Sequence, residues 1–208
     1  LGAGSGGRLS VLDAIEMPNT YGVSKDIIKV ILAGGVNHLV EALEDKEDDI
    51  QDGINQLKTC QVGSADFVIG ISASGSTPFV VESLKYCKKM GISTGCIVSN
   101  PNSEIVLYAD FPVEVITGPE FVSGSTRMKC GTAQKMIFDI ISTTTMIQLG
   151  RVEDNRMVYV NLINNKLIDR AVRMLMEKTG ETDYALARKN LLKAGSVKNA
   201  MSDPGIYQ

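Results

Sequence analysis

Short apolar runs bounded by turn-forming residues punctuate the first part of the chain: Val30 to Ala33, Phe67 to Ile71, Cys96 to Ser99 and Phe111 to Ile116. Such runs, without strict alternation, are what strands buried on both faces require, and that burial is the habit of parallel sheets. Between them the apolar positions switch to helical spacing. Phe79, Val80, Leu84 and Cys87 follow Pro78 at intervals that line one helix face, and Ala133, Ile137, Ile140, Ile141 and Met146 do the same further on. Alternating strand and helix predict an α/β fold, a doubly wound parallel sheet with helices on both faces. Ligands of such sheets bind beyond the carboxyl ends of the strands.

The pattern changes after Gly150. Val158, Leu162, Leu167, Ala171, Val172 and Leu175 predict a long helix that Gly180 ends, and Tyr184 to Leu192 and Val197 to Met201 predict two shorter ones. The expected organisation is therefore a sheet domain over residues 1–150 and a helical extension over 151–208. The tail is too small to fold alone on expectation. Glu41 to Asp49 is the dense acidic run of the chain, and on pattern it is a solvated helix end. The opening Leu1 to Gly4 reads as the end of a strand entering a turn, so further residues are expected upstream.

Composition narrows the function classes. A net charge of -3, with acids and bases interspersed, lacks the basic stripe that a nucleic-acid backbone demands. The expected partners therefore include no nucleic acid. No apolar run reaches membrane-spanning length and no leader pattern is seen, so no membrane partner is expected and a cytoplasmic location is. Cys60, Cys87, Cys96 and Cys130 show neither Cys-x-x-Cys spacing nor a nearby His, so reduced thiols are expected and no metal site.

The strongest local signal is Ser72-Ala73-Ser74-Gly75-Ser76-Thr77-Pro78, after one predicted strand and before a predicted helix. The hydroxyls of Ser72, Ser74, Ser76 and Thr77 supply donors, Gly75 permits close backbone approach, and Pro78 suits the first turn of a helix whose free N–H groups favour an anion. The alternative is a Ser/Thr turn that only caps the helix. A second turn, Gly2 to Gly7, matches the dinucleotide pattern G-x-G-x-x-G formally. No acidic residue ends the next strand to hold a ribose, so the turn is read as a wall of a sugar-phosphate pocket with Ser5 as donor. Glu16 falls where a helix should end before Pro18. By pattern it is a surface carboxylate, as is Glu47. His38, the lone histidine, has no nucleophile elbow near it and reads as structural or pocket-lining. Residues 118–135 join the fourth strand to a helix and are rich in polar groups. Arg127 and Lys129 suit a phosphate or carboxylate, while Glu120, Ser125 and Thr126 suit sugar hydroxyls. Cations at a helix N-terminus oppose the macrodipole, which favours a ligand-facing loop.

Taken together, these segments resemble the sugar isomerase (SIS) fold, a three-layer Rossmann-like sheet, and specifically the N-acetylmuramic acid 6-phosphate etherases. The resemblance runs from Leu1 to about Gly180. It rests on Leu1-Gly2-Ala3-Gly4, Gly7-Arg8-Leu9, Leu12-Asp13-Ala14 with Glu16, Ala33-Gly34-Gly35 and Glu47-Asp48. It continues through Ala73-Ser74-Gly75, Thr77-Pro78, Asn100-Pro101, Gly124-Ser125-Thr126-Arg127 with Lys129, and Gly131 to Lys135. The resemblance places the family's two catalytic glutamates on Glu16 and Glu47. It departs at Ser5-Gly6-Gly7, where the family usually has Thr-Ser-Gly, and at Ser76, where it usually has Arg.

The resemblance implies a homodimer with the site near the subunit interface, acting in amino-sugar metabolism and peptidoglycan recycling. The implied reaction removes D-lactate from O3 of N-acetylmuramic acid 6-phosphate by elimination and then hydration, giving N-acetylglucosamine 6-phosphate. Once the ring opens, the C2 proton is α to an aldehyde, so a carboxylate removes it while a carboxylic acid protonates the departing oxygen. Glu47 is assigned as base and Glu16 as acid, and no cofactor is required. The alternatives are a non-catalytic phosphosugar sensor, which has no use for paired glutamates, and a sugar-phosphate isomerase, which leaves C3 intact.

Overall fold

The structure is a computed structural model, and it describes residues 1–41 and 43–203. The chain divides into two units: Leu1–Ala14 with Lys29–Ile140, and Ile15–Ile28 with Ile141–Gln208.

The first unit is built on a parallel sheet. Strand β1 spans Phe67–Ile71, β2 Ser93–Val98 and β3 Phe111–Glu114, in the order β1-β2-β3 with Gly70 beside Cys96 and Cys96 beside Pro112. Two further chain segments extend it by single bridges. Gly2 pairs in parallel with both Leu32 and Ile71, its N–H donating to Ile31 O at 2.9 Å and its carbonyl accepting from Ala33 N at 3.1 Å. The spatial order is therefore the Leu32 segment, the Gly2 segment, β1, β2, β3. Sequence-consecutive segments run to opposite sides of Gly2, so the order reverses between Gly2 and β1. That reversal is the crevice in which doubly wound sheets bind ligands.

Helix α1 (Gly4–Tyr21) leaves Gly2, α2 (Ile50–Thr59) precedes β1, α3 (Pro78–Lys89) connects β1 to β2, and α4 (Lys129–Gln148) follows β3. Pro78 occupies the first turn of α3, where its missing N–H costs no intrahelical bond. The α3 face carrying Phe79, Val80, Leu84 and Cys87 is wholly buried, in a core shared with Leu57 of α2, Val68 of β1, and Cys96 and Val98 of β2. Truncating Phe79 to Ala there would cost about 3–5 kcal/mol.

Three details differ from the pattern. Val30 to Ala33 pairs at a single bridge, Gly2 with Leu32, and its bonds to Gly2 run from Ile31 O and Ala33 N. The acidic run forms a 3-10 turn at Glu44–Asp48, and Asp49 caps α2 by accepting from Gln51 N and Asp52 N; Ala42 lies outside the described residues. Helix α1 does not stop before Pro18 but runs through it to Tyr21. An interior proline forfeits roughly 3 kcal/mol. Met17 and Tyr21 on either side are buried in a cluster with Val23 and Met146, and each such burial returns about 1.5–3 kcal/mol.

In the second unit α5 (Asn165–Thr179), α6 (Tyr184–Ala194) and α7 (Val197–Ser202) share a core of Val158, Ala171, Val172, Leu175, Ala187, Leu191 and Val197. Their ends are marked by ordinary caps. Asn164, Asp183 and Ser196 accept N-terminal amides, and Gly180 and Gly195 close α5 and α6 in the left-handed conformation. Val158 and Leu162 precede α5 as loop, so the expected long helix begins only at Asn165, after its cap.

Candidate active site

The first unit's sheet order puts two loops at the crevice: the start of α1 after Gly2, and the Ser72–Thr77 turn after β1. In the turn, Ser72 is buried and acts as its hub. Its hydroxyl lies 2.8 Å from the Thr77 hydroxyl and 3.3 Å from that of Ser74, and accepts the Gly75 N–H at 3.0 Å. Ser76 folds back on Ser74, its hydroxyl donating at 3.2 Å. Thr77 makes no side-chain cap to α3. Its hydroxyl is turned to Ser72 instead. Ser74 and Ser76 are exposed and Thr77 half-buried, which leaves their hydroxyls able to reorient towards an anion at the start of α3.

The turn is braced from β2's far end. Asn100 Nδ2 donates to Ala73 O at 2.8 Å, Ser103 Oγ donates to Ser74 O at 3.2 Å, and Ile105 N donates to Gly75 O at 3.0 Å. Gly75 has φ +74°, and a Cβ there would collide with Ser103 Cβ. Asn100 stands out in the sequence beside Pro101, whereas Ser103 does not, because its bracing role depends on a contact 29 residues away.

Glu47 reaches the opposite wall. Its Oε1 lies 2.7 Å from where a Cβ on Gly4 would sit, so the carboxylate rests directly over the first residue of α1, which has φ +52°. Ser5, half-buried, is the next residue of that helix. Burial pushes the Glu47 carboxyl above its ordinary range; Glu44 and, more weakly, Asp48 add to the rise, and Arg8 opposes it. The expected solvated glutamate is thus partly withdrawn from water. Local pattern carries no signal for this, because the contact is with Gly4, far away in sequence; the family resemblance does single out Glu47.

Residues 118–128 form an exposed loop ahead of α4. Glu120 accepts the Lys129 N–H and the Cys130 N–H, each at 2.9 Å, and these bonds hold its carboxyl below the usual range. It therefore supplies the negative charge that the start of α4 favours, and the macrodipole argument for a ligand in the loop is met within the protein. Lys129 Nζ donates to Pro119 O at 2.7 Å. Arg127 and Thr126 are exposed and Ser125 half-buried. His38 is half-buried in a 3-10 turn at Val36–His38.

Glu16 belongs to the second unit, on α1, and is exposed. The first unit thus holds Ser5, Glu47, Ser72, Ser74, Gly75, Ser76, Thr77, Glu120, Ser125, Thr126, Arg127 and Lys129.

A parallel sheet with a hydroxyl-lined turn at its point of reversal defines an SIS-type α/β domain. Residues 55–144 match the SIS domain model and residues 1–88 that of the glucokinase regulatory protein N-terminal SIS domain. The fold is also that of an Escherichia coli CFT073 protein solved as a ligand complex, at a TM-score of 0.53 and 16% identity over 74% of this chain and 71% of that one. The chain is 51% identical to an N-acetylmuramic acid 6-phosphate etherase of Bacteroides thetaiotaomicron, over 97% of this chain and 72% of that protein. It is 51% identical to another from Porphyromonas gingivalis, over 96% and 73%. The chain belongs to the N-acetylmuramic acid 6-phosphate etherase family, and so is a carbon–oxygen lyase.

Proposed function

We propose that the chain cleaves the D-lactyl ether of N-acetylmuramic acid 6-phosphate by elimination and then hydration, releasing D-lactate and N-acetylglucosamine 6-phosphate. The observation that carries this reading is the Glu47 carboxylate, half-buried and raised in pKa, over the start of α1 in the same unit as the Ser72–Thr77 turn. A base works best with a pKa near the operating pH, so the rise favours Glu47 as the group that takes the C2 proton. The turn's exposed hydroxyls, Ser74, Ser76 and Thr77, hold the 6-phosphate, with Ser72 and Gly75 fixing their geometry. Ser5, Ser125, Thr126 and Arg127 meet the rest of the substrate, and Glu120 and Lys129 shape the loop that carries those last three.

Glu16 protonates the departing ether oxygen. A carboxyl held protonated needs shielding, whereas Glu16 is exposed here, as are Leu12 and Ile15 on the same helix. The shielding in this reading comes from a second copy in a homodimer. Residues 1–150 act as the sugar-phosphate-binding domain and 151–208 as a helical extension, in a cytoplasmic enzyme that uses no cofactor. Among the described residues no helix is long and apolar enough to cross a membrane.

The match of residues 1–88 to a regulatory protein's domain is what a non-catalytic sensor reading rests on. Incubation with N-acetylmuramic acid 6-phosphate and assay of free D-lactate decides between them. Stoichiometric lactate is expected; binding of the sugar phosphate with no lactate would establish the sensor.

A further inference from the structure

The second unit holds a recess of its own. It has a volume of about 670 Å³ and lies between the segment around Arg156 and the first half of α5, lined by Arg156, Lys166, Arg170 and Arg173 with Asp169 and Met174 among its walls. Its size is within the ordinary range for small-molecule sites. Lys166, Arg170 and Arg173 recur at i, i+4 and i+7, which sets them along one face of α5.

The charges of this recess are incompletely answered. Arg173 Nε donates to Asp169 at 2.9 Å, and Arg156 Nη2 donates to Glu177 at 2.6 Å. Both guanidinium groups are thereby fixed in orientation. Lys166 and Arg170 have no hydrogen-bond or ion-pair partner among the described residues. They stand in the opening turns of α5, a helix with no acidic residue in its first turn. Like charges four residues apart repel, and cations at a helix N-terminus oppose the macrodipole, so an anion would relieve both. Residues 141–208 carry ten Lys and Arg against seven Asp and Glu, although the chain as a whole has a charge of -3. The surplus of positive charge is thus local to this part of the chain.

We propose that this recess binds a small polyanion bearing a phosphoryl or pyrophosphoryl group. Guanidinium forks match the spaced oxygens of a phosphoryl group, and a lysine adds a point charge. Met174, 4% exposed, is fixed in the core beneath and offers an apolar contact for the ligand's remaining part. This site uses none of the residues of the Ser72–Thr77 turn and stands independently of the lyase reading.

The test is an amide NMR titration of the whole chain with inorganic pyrophosphate, comparing wild type with the double variant Lys166→Gln/Arg170→Gln and with Arg170→Gln alone. The expected result is saturable shifts at residues 165–174 in wild type. Affinity read there should fall at least about tenfold in the double variant, the equivalent of about 1.4 kcal/mol, and by less in the single one. Any shifts at residues 72–77 should stay unchanged, since they report the other site. Amides of α5 that do not move in wild type, or that titrate with the same affinity in wild type and in the folded double variant, would overturn the proposal. The wild-type arm decides even if the double variant proves unfolded.

Discussion

Substituting Gly4 by Ala should separate the stability of the first unit from its chemistry. Gly4 has φ +52°, and the added methyl carbon would stand 2.7 Å from Glu47 Oε1 and 3.8 Å from Glu47 Cδ, so outside its own helix backbone it meets the Glu47 side chain alone. The backbone strain of a left-handed non-glycine residue costs about 1–2 kcal/mol, a fall in Tm of about 2–8 °C for a chain of this size. The collision itself is cheap to relieve, because the atom that yields is the far end of a flexible side chain. Relief nevertheless withdraws the carboxylate by roughly 0.5 Å or more, and a displacement near 1 Å can cost about a hundredfold in rate. Lactate release should therefore fall about 10- to 100-fold. Gly180→Ala is the control: Gly180 has φ +78° with nothing within 4 Å of its added carbon, so it carries the strain without the displacement. Calorimetry and a coupled D-lactate assay read both quantities. Equal loss of activity in the two variants, or full activity in Gly4→Ala, would refute the reasoning.

Other outcomes follow from the same geometry. Glu47→Gln should lower lactate release by about a hundred- to ten-thousandfold, yet not lower Tm at neutral pH. The native state binds the Glu47 proton more tightly than the unfolded chain, so this group's contribution to stability declines as pH rises through its folded pKa; a lower Tm for the variant at pH 7 would contradict that sign. For the same reason the acid limb of kcat/KM should lie above the ordinary glutamate range in wild type. Glu16→Gln should slow lactate release while still letting solvent deuterium enter C2, followed by mass spectrometry; loss of both together would reverse or remove the assigned roles. Ser74→Ala should raise KM by about 10- to 100-fold, the worth of a hydrogen bond to a charged group, with kcat little changed. An effect confined to kcat would place the phosphate elsewhere.

Much of the frame was legible because its signals are local. Pro78 announced the start of α3, Gly180 the end of α5, and the buried stripe from Phe79 to Cys87 the face that packs. What was not legible depends on tertiary contacts. Pro18 reads as a stop, and only the burial of Met17 and Tyr21 carries α1 past it. Val30 to Ala33 looks like a full strand, whereas its pairing with the Gly2 segment is a single bridge. The Ser72 to Thr77 hydroxyls could be named from sequence, whereas the hub role of Ser72 and the brace from Ser103 could not. Glu120 suits sugar hydroxyls by residue type, and nothing in the sequence shows that its carboxylate also accepts from two amides nine and ten residues away, a cap that no short-range motif encodes. Glu47 sits in a run whose charge density suggests water, and its withdrawal depends on the start of α1.

Turnover of N-acetylmuramic acid 6-phosphate in water enriched in both heavy oxygen and deuterium tests the elimination and hydration most directly. The account predicts one heavy oxygen on C3 and solvent deuterium on C2 of the N-acetylglucosamine 6-phosphate, with no heavy oxygen gained by the D-lactate. Heavy oxygen in the lactate would mean displacement at the lactyl carbon, and heavy oxygen on C3 with the original hydrogen kept on C2 would mean displacement at C3; either would contradict it.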